Sequence, residues 1–286
     1  MFHKRDDPLL LQDSLESLVD KWIGYRRPWY GVESEKLDRV ELPQPLRWLY
    51  SFAGYWPSNN WHEHLFGTQN GIVPFECLSK TADGEKLIFG SENQGCWIVS
   101  TLPVGDDPPV WVSFDDEPWT LLTESLMEFL VTFCIQEIIY GSFRLGSGEN
   151  LIKQFRDSGK QVTPIWLSGP FVSWGDDPRE LIDFYLVDNC ILATEDRCGW
   201  SGGAFESDSV PEFDFVQWKE LPSQSQSGYS RYTVIPDEFA CQMPEIMKEN
   251  HYRDLIGRHE EQALYHLEMV RKYTSILLNN HARNQR

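Results

Sequence analysis

The chain has little positive charge. Its 286 residues carry 25 Lys and Arg against 44 Asp and Glu, a formal net charge of −19. Phosphate contacts need Lys and Arg, so this balance argues against direct nucleic-acid binding. It suits a well-solvated protein or one that meets a basic partner. Long unbroken apolar runs are also missing. The longest apolar stretch, Leu121–Tyr140, is interrupted by Glu124, Glu128 and Glu137, which excludes it as a membrane span. The N-terminal residues have neither the basic nor the apolar segment of a secretory signal. The six cysteines (Cys77, Cys96, Cys134, Cys190, Cys198 and Cys241) form no Cys-x-x-Cys and no pairing rhythm. Reduced thiols in a cytoplasmic protein are expected, with Cys96 and Cys134 buried in apolar surroundings.

Signatures of catalysis are absent too. The sequence holds no Gly-x-Ser-x-Gly, no phosphate-binding Gly-x-x-x-x-Gly-Lys, no dinucleotide Gly-x-Gly-x-x-Gly after a strand and no His-Glu-x-x-His. No cofactor and no metal are therefore expected. His62 and His64 have strand-like spacing for a metal pair, but no third ligand lies near them, and an exposed loop is the simpler reading. The adjacent acids Asp106/Asp107 and Asp176/Asp177 are of the residue type that supplies the two carboxylates of a glycosidase. In Pro-bounded turns, adjacent acids more often serve as solvated turn residues.

What is present is enough apolar material for a core: 41% hydrophobic residues, including 12 Trp. Pro8 followed by Leu11, Leu15, Leu18, Val19 and Trp22 predicts an amphipathic helix capped by Asp7 and ended by Gly24. A short helix is expected over Glu33–Val40. Another begins near Pro43 or Pro45 and runs to Ala53, stopped by Gly54. Leu87–Phe89, Cys96–Val99 and Val110–Val112 are apolar runs separated by Gly, Asn, Asp and Pro, which predicts antiparallel strands joined by turns. Gly95 supplies a positive φ for the first turn. Leu122, Leu126, Phe129, Leu130, Phe133 and Ile138 give a helical stripe. Met127, Val131, Ile135 and Ile139 make the same helix apolar over most of its remaining circumference, so it must be covered on more than one side. Charge is concentrated here: from Asp83 to Glu128 there are ten acids and one base, Lys86.

Taken together, these features resemble the SUKH superfamily, which includes fungal cell-wall-synthesis regulators and bacterial toxin-immunity proteins. The resemblance rests on Leu42-Pro43 opening a helix that ends in Gly54, and on the hairpin around Glu92-Asn93-Gln94-Gly95. It rests also on Pro109-Val110-Trp111 with its acidic turn, and on the helix with Ser125-Leu126-Met127-Glu128-Phe129-Leu130. It spans about residues 10–141. It implies an α+β domain with a mixed or antiparallel sheet flanked by helices, no catalytic centre, and binding of a protein partner, commonly a basic nuclease toxin. An acidic face would steer such a partner. The residues expected to contact it are Glu92, Asp106, Asp107, Asp115, Asp116 and Glu117. The competing expectation is a carbohydrate-binding protein or weak glycoside hydrolase built on Trp-rich surfaces and acid pairs.

The resemblance stops near Gly141. Residues 142–222 read as a β-rich extension or small second domain. A short helix is expected at Glu149–Arg156, and strands at Val162–Trp166, Phe171–Trp174, Phe184–Val187 and Ile191–Thr194. Asp188-Asn189 is a hairpin signal. Residues 223–244 contain the polar linker SQSQSGYS. Residues 245–286 read as a helical segment, with Ala263, Leu267, Val270 and Leu277 on one face for burial or self-association.

Overall fold

The computed structural model of the chain describes residues 8–22, 31–53, 70–115, 117–142, 144–172, 179–188, 190–200 and 213–219. All of them belong to the first of two compact units, Met1–Tyr229. The expected Asp7 cap, the Gly24 and Gly54 stops, His62 and His64, Asp116, Asp176 and Asp177, the 223–244 linker and the 245–286 helical segment lie outside the described residues.

Three helices come first: α1 (Pro8–Trp22), α2 (Ser34–Leu37) and α3 (Gln44–Ala53). α2 is half the length expected. Its backbone turns away at Asp38, whose side chain instead accepts from Arg47 Nη1 of α3 at 2.6 Å. Leu11 and Leu15 of α1 are buried, as their spacing predicts. Trp48 Nε1 donates to Glu16 Oε1 at 2.8 Å and ties α3 to α1.

The first sheet has strands β1 (Asn70–Ile72), β2 (Ser79–Lys80), β3 (Leu87–Glu92), β4 (Trp97–Thr101), β5 (Val110–Phe114) and β6 (Thr120–Thr123). Its order is β1-β3-β4-β5-β6, with β2 also on β3 and every pair antiparallel. The three strands read from the sequence are β3, β4 and β5, and Gly95 does hold a positive φ of 77°. Leu122 is not part of the helical stripe. It lies in β6, whose ladder with β5 pairs Trp111 with Leu121 and Val110 with Thr123. Leu122 is buried from the strand instead, so its apolar character fitted both geometries.

Helix α4 (Leu126–Tyr140) starts where Ser125 caps it: Ser125 Oγ accepts from the Glu128 N–H at 3.1 Å. Thirteen of its fifteen residues are buried. Phe129 meets Phe89 of β3 edge to face, with ring centroids 5.7 Å apart. α1 and α3 also touch the helix.

Strand β7 (Arg144–Ser147) and helix α5 (Leu151–Asp157) come after α4. They are followed by β8 (Thr163–Val172), β9 (Arg179–Val187), β10 (Cys190–Ala193), β11 (Arg197–Trp200) and β12 (Gln217–Lys219). These strands form a second, separate antiparallel sheet in the order β12-β7-β11-β10-β9-β8. Of them, β8, β10 and β11 also pack on α4. The described fold is therefore α+β with two antiparallel sheets. Ile165, Trp166, Val172, Ile182, Phe184, Ile191 and Ala193 join the same core as α4 and the first sheet. A smaller core lies on the opposite face of the second sheet, where Leu151 and Phe155 of α5 meet Val187, Leu192, Cys198 and Val216.

The expected strand at Val162–Trp166 and the described part of the one at Phe171–Trp174 belong to one strand, β8; residues 173 and 174 lie outside the described residues. Ser168-Gly169-Pro170 bends it without ending it: Ser168 has a φ of 51° and the register with β9 shifts between Trp166 and Gly169. The Asp188 turn predicted between β9 and β10 is present, with Asp188 at a φ of 51°.

Two glycines set how closely the second sheet approaches α4. A Cβ on Gly169 would collide with Thr132 Oγ1 and lie 2.7 Å from Trp166 Cδ1. A Cβ on Gly199 would collide with Ser142 Oγ and lie 2.8 Å from the Ile139 Cα. The space left by Gly169 lets Trp166 Nε1 donate to Thr132 Oγ1 at 2.9 Å. Overpacking of this kind costs about 1–3 kcal/mol. Gly199→Ala should therefore lower the unfolding free energy, measured by urea denaturation, by an amount in that range. Gly84→Ala has nothing within 4 Å of its Cβ and strains only a φ of 76°, so its loss should come from the backbone alone, about 1–2 kcal/mol; no loss of stability in Gly199→Ala would refute the packing account.

Candidate functional site

The sheet separates the five described acids among the six singled out from the sequence. β3, β4 and β5 pair so that Trp97 faces Phe114 at one end while Leu87, Thr101 and Val110 align at the other. Glu92, Asp115 and Glu117 therefore lie at one end of the sheet, and Asp106 and Asp107 at the opposite end. With a rise of ~3.3 Å per residue along β4, the two ends stand roughly 15 Å apart.

Two of the six are committed to the fold. Glu92 was expected on an exposed rim, but it is 7% exposed. Its Oε2 accepts from the Gln94 N–H at 2.7 Å and the Cys96 N–H at 3.4 Å, which closes the β3–β4 turn. Asp107 is half-buried. Its Oδ2 accepts from Ser125 Oγ at 2.6 Å and its Oδ1 from the Met127 N–H at 2.8 Å. It sits at the N-terminus of α4, where a negative charge is favoured by the unpaired N–H groups. With both oxygens so held, Asp107 is poorly placed to serve with Asp106 as a hydrolytic couple. Asp106, Asp115 and Glu117 are exposed, and Asp115 occupies its turn with a φ of 42°.

The strand pairing adds residues that the sequence left out of the site. Asp83 and Glu85 lie in the turn before β3, and Glu124 follows β6, all at the Asp106 end. All three are exposed, as Asp106 is. Asp83 accepts from Thr81 Oγ1 at 2.5 Å and from the Glu85 N–H at 3.0 Å, and these bonds hold its carboxyl below the usual range. Lys86, the one base of the run, lies with Nζ 5.2 Å from the Trp111 ring centroid. The register of three strands carried this signal, and acid counting along the chain could not supply it.

A second feature is a cleft of about 480 Å³ between the two sheets. α4 presents Phe129, Thr132, Phe133, Gln136 and Tyr140 to it, the i, i+3, i+4, i+7, i+11 face of the helix. The first sheet contributes Asn70, Glu92 and Trp97, and the second contributes Pro170, Phe171, Val172, Glu180, Glu195 and Arg197. Beside it, the buried Glu137 accepts from the Asn70 N–H at 3.1 Å and Asn70 Nδ2 at 2.9 Å. Arg197 donates to the Tyr140 hydroxyl and its guanidinium lies 5.5 Å from the Tyr140 ring centroid. Burial pushes the Glu195 carboxyl above the ordinary range; Arg197 opposes this and Glu180 adds to it.

Among the described residues, no three His, Cys, Asp or Glu are grouped to hold a metal ion. Cys77, Cys96, Cys134, Cys190 and Cys198 are free thiols. Cys134 is buried as expected, while Cys96 is half-buried. Burial pushes up the thiols of Cys96 and Cys134, and a hydrogen bond with Cys198 pushes up that of Cys190, so none of these three is an activated nucleophile. No helix among the described residues is long and apolar enough to cross a membrane. Comparison with protein-family models, with curated proteins and with solved structures finds no match.

The two neighbouring aspartates should separate cleanly by mutation. Asp107→Ala removes a helix cap and should cost about 1–2 kcal/mol in chemical denaturation. Asp106→Ala, on an exposed turn, should stay within about 0.5 kcal/mol of the parent. Equal costs would mean that the cap does not hold α4 as described.

Proposed function

We propose that the chain is a non-enzymatic binding protein of SUKH type, an immunity-type or regulatory protein that engages a basic protein partner in the cytoplasm. A nuclease toxin domain is the kind of partner that this charge fits. The observation that carries the reading is the acidic end of the first sheet, where Asp83, Glu85, Asp106 and Glu124 are all exposed. The only base in the run from Asp83 to Glu128 is Lys86, drawn onto the Trp111 ring. Four acids on neighbouring turns give a surface that steers a basic partner and speeds its association. Exposed acids on open, solvated turns suit a binding surface better than a catalytic one. Asp115 and Glu117 extend the negative surface at the far end of the sheet.

The test is capture of partners from the native cell extract by the full chain, at low and at high salt. A basic protein should be retained at low salt and released at high salt, because exposed charge pairs are screened. Asp106→Lys/Glu124→Lys should reduce its capture more than Asp115→Lys/Glu117→Lys does. A partner indifferent to salt and to both charge reversals would refute the proposal.

A further inference from the structure

The cleft between the sheets has a chemistry of its own. At about 480 Å³ it falls in the size range of small-ligand sites, roughly 300–1,000 Å³. Three carboxylates reach it, Glu92, Glu180 and Glu195, against one guanidinium, that of Arg197. An anion would face this excess of negative charge. Glu92 is already held by the β3–β4 turn, but a purely apolar ligand would strip water from Glu180 and Glu195 without supplying a hydrogen-bond donor. A positive group would satisfy them and offset the burial and the Glu180 charge that already disfavour ionised Glu195. The walls include Trp97, Phe129 and Phe171, whose faces attract cations and whose surface covers an aliphatic stem. The cleft already contains one example of this pairing, the Arg197 guanidinium over the Tyr140 ring.

We propose that this cleft is a binding site for an organic cation, a guanidinium or alkylammonium group whose head meets Glu180 and Glu195 while its carbon stem lies along the aromatic wall. The site is independent of the acidic sheet end and stands or falls apart from it. Two sources share this chemistry, a free polyamine and the side chain of a basic peptide.

Titration calorimetry on the full chain, at constant ionic strength, tests the proposal with spermidine and with acetyl-Gly-Arg-Gly amide as probes. Saturable binding of at least one probe is expected, and which one binds identifies the source. Glu180→Gln/Glu195→Gln should weaken it by about tenfold or more, the scale of a lost charge-assisted hydrogen bond. Asp106→Asn/Glu124→Asn removes charge at the distant sheet end and should leave it within about twofold, since screening suppresses effects beyond ~10 Å. Arg197→Gln removes the competing cation and should tighten binding, an outcome that damage to the fold would not produce. The proposal is overturned if neither probe saturates, if both acid pairs matter equally, or if Arg197→Gln fails to tighten. Saturable binding of maltose in place of both cations would also overturn it and assign the cleft to a sugar.

Discussion

Thirteen of the fifteen residues of α4 are buried, and a helix apolar on so much of its circumference can exist in water only if it is covered from several directions. The rest of the described fold follows from that requirement. The first sheet, α1 and α3 cover part of the helix, while β8, β10 and β11 cover another part. Neither cover replaces the other. Removal of the second sheet would uncover Thr132, which accepts from Trp166, and Ile139, which lies against Gly199; they are 1% and 2% exposed in the folded unit, and burial of a large apolar side chain such as Ile139 is worth of the order of 1.5–3 kcal/mol. Gly169 and Gly199 allow the approach, and Ser125 and Asp107 fix where the helix begins.

This arrangement divides the acidic residues into two kinds. Glu92 and Asp107 close a turn and a helix end through their carboxylates, so their charge serves the fold. Asp83, Glu85, Asp106 and Glu124 remain on the surface at one end of the sheet. A net charge of −19 costs self-repulsion, and part of it is offset locally by backbone N–H groups that donate to carboxylates. The exposed remainder is available to a partner. The cleft differs from both, because its acids come from β3, from β9 and from the turn between β10 and β11, and line one cavity together with α4.

Much of the fold was legible from period and punctuation. The strands β3, β4 and β5, the Gly95 turn, the all-round apolar α4 and the Asp188 hairpin each follow from a local signal. Errors arose where tertiary pairing overrode such a signal. Leu122 fits a helical stripe four residues before Leu126, yet the ladder to β5 makes it strand. Ser168-Gly169-Pro170 reads as a turn, yet pairing with β9 continues through it. The candidate sites were less legible still. Acid counting found the right region but could not know that Asp107 reaches Ser125, eighteen residues on, or that Asp83 and Glu124 share a sheet end. The cleft was out of reach for the same reason: Glu92, Phe129 and Glu195 come together only once both sheets are laid on the helix.

The claim that one helix couples the two sheets can be measured directly by hydrogen exchange on the full chain carrying Leu130→Ala. Leu130 is fully buried in the shared core, and its truncation should cost about 2–5 kcal/mol. Opening free energies track cooperative units, so slowly exchanging amides of β4 and of β9 should lose protection together and by similar factors. Loss of protection in β4 alone, with β9 unchanged, would mean that the second sheet stands without α4 and would contradict the account.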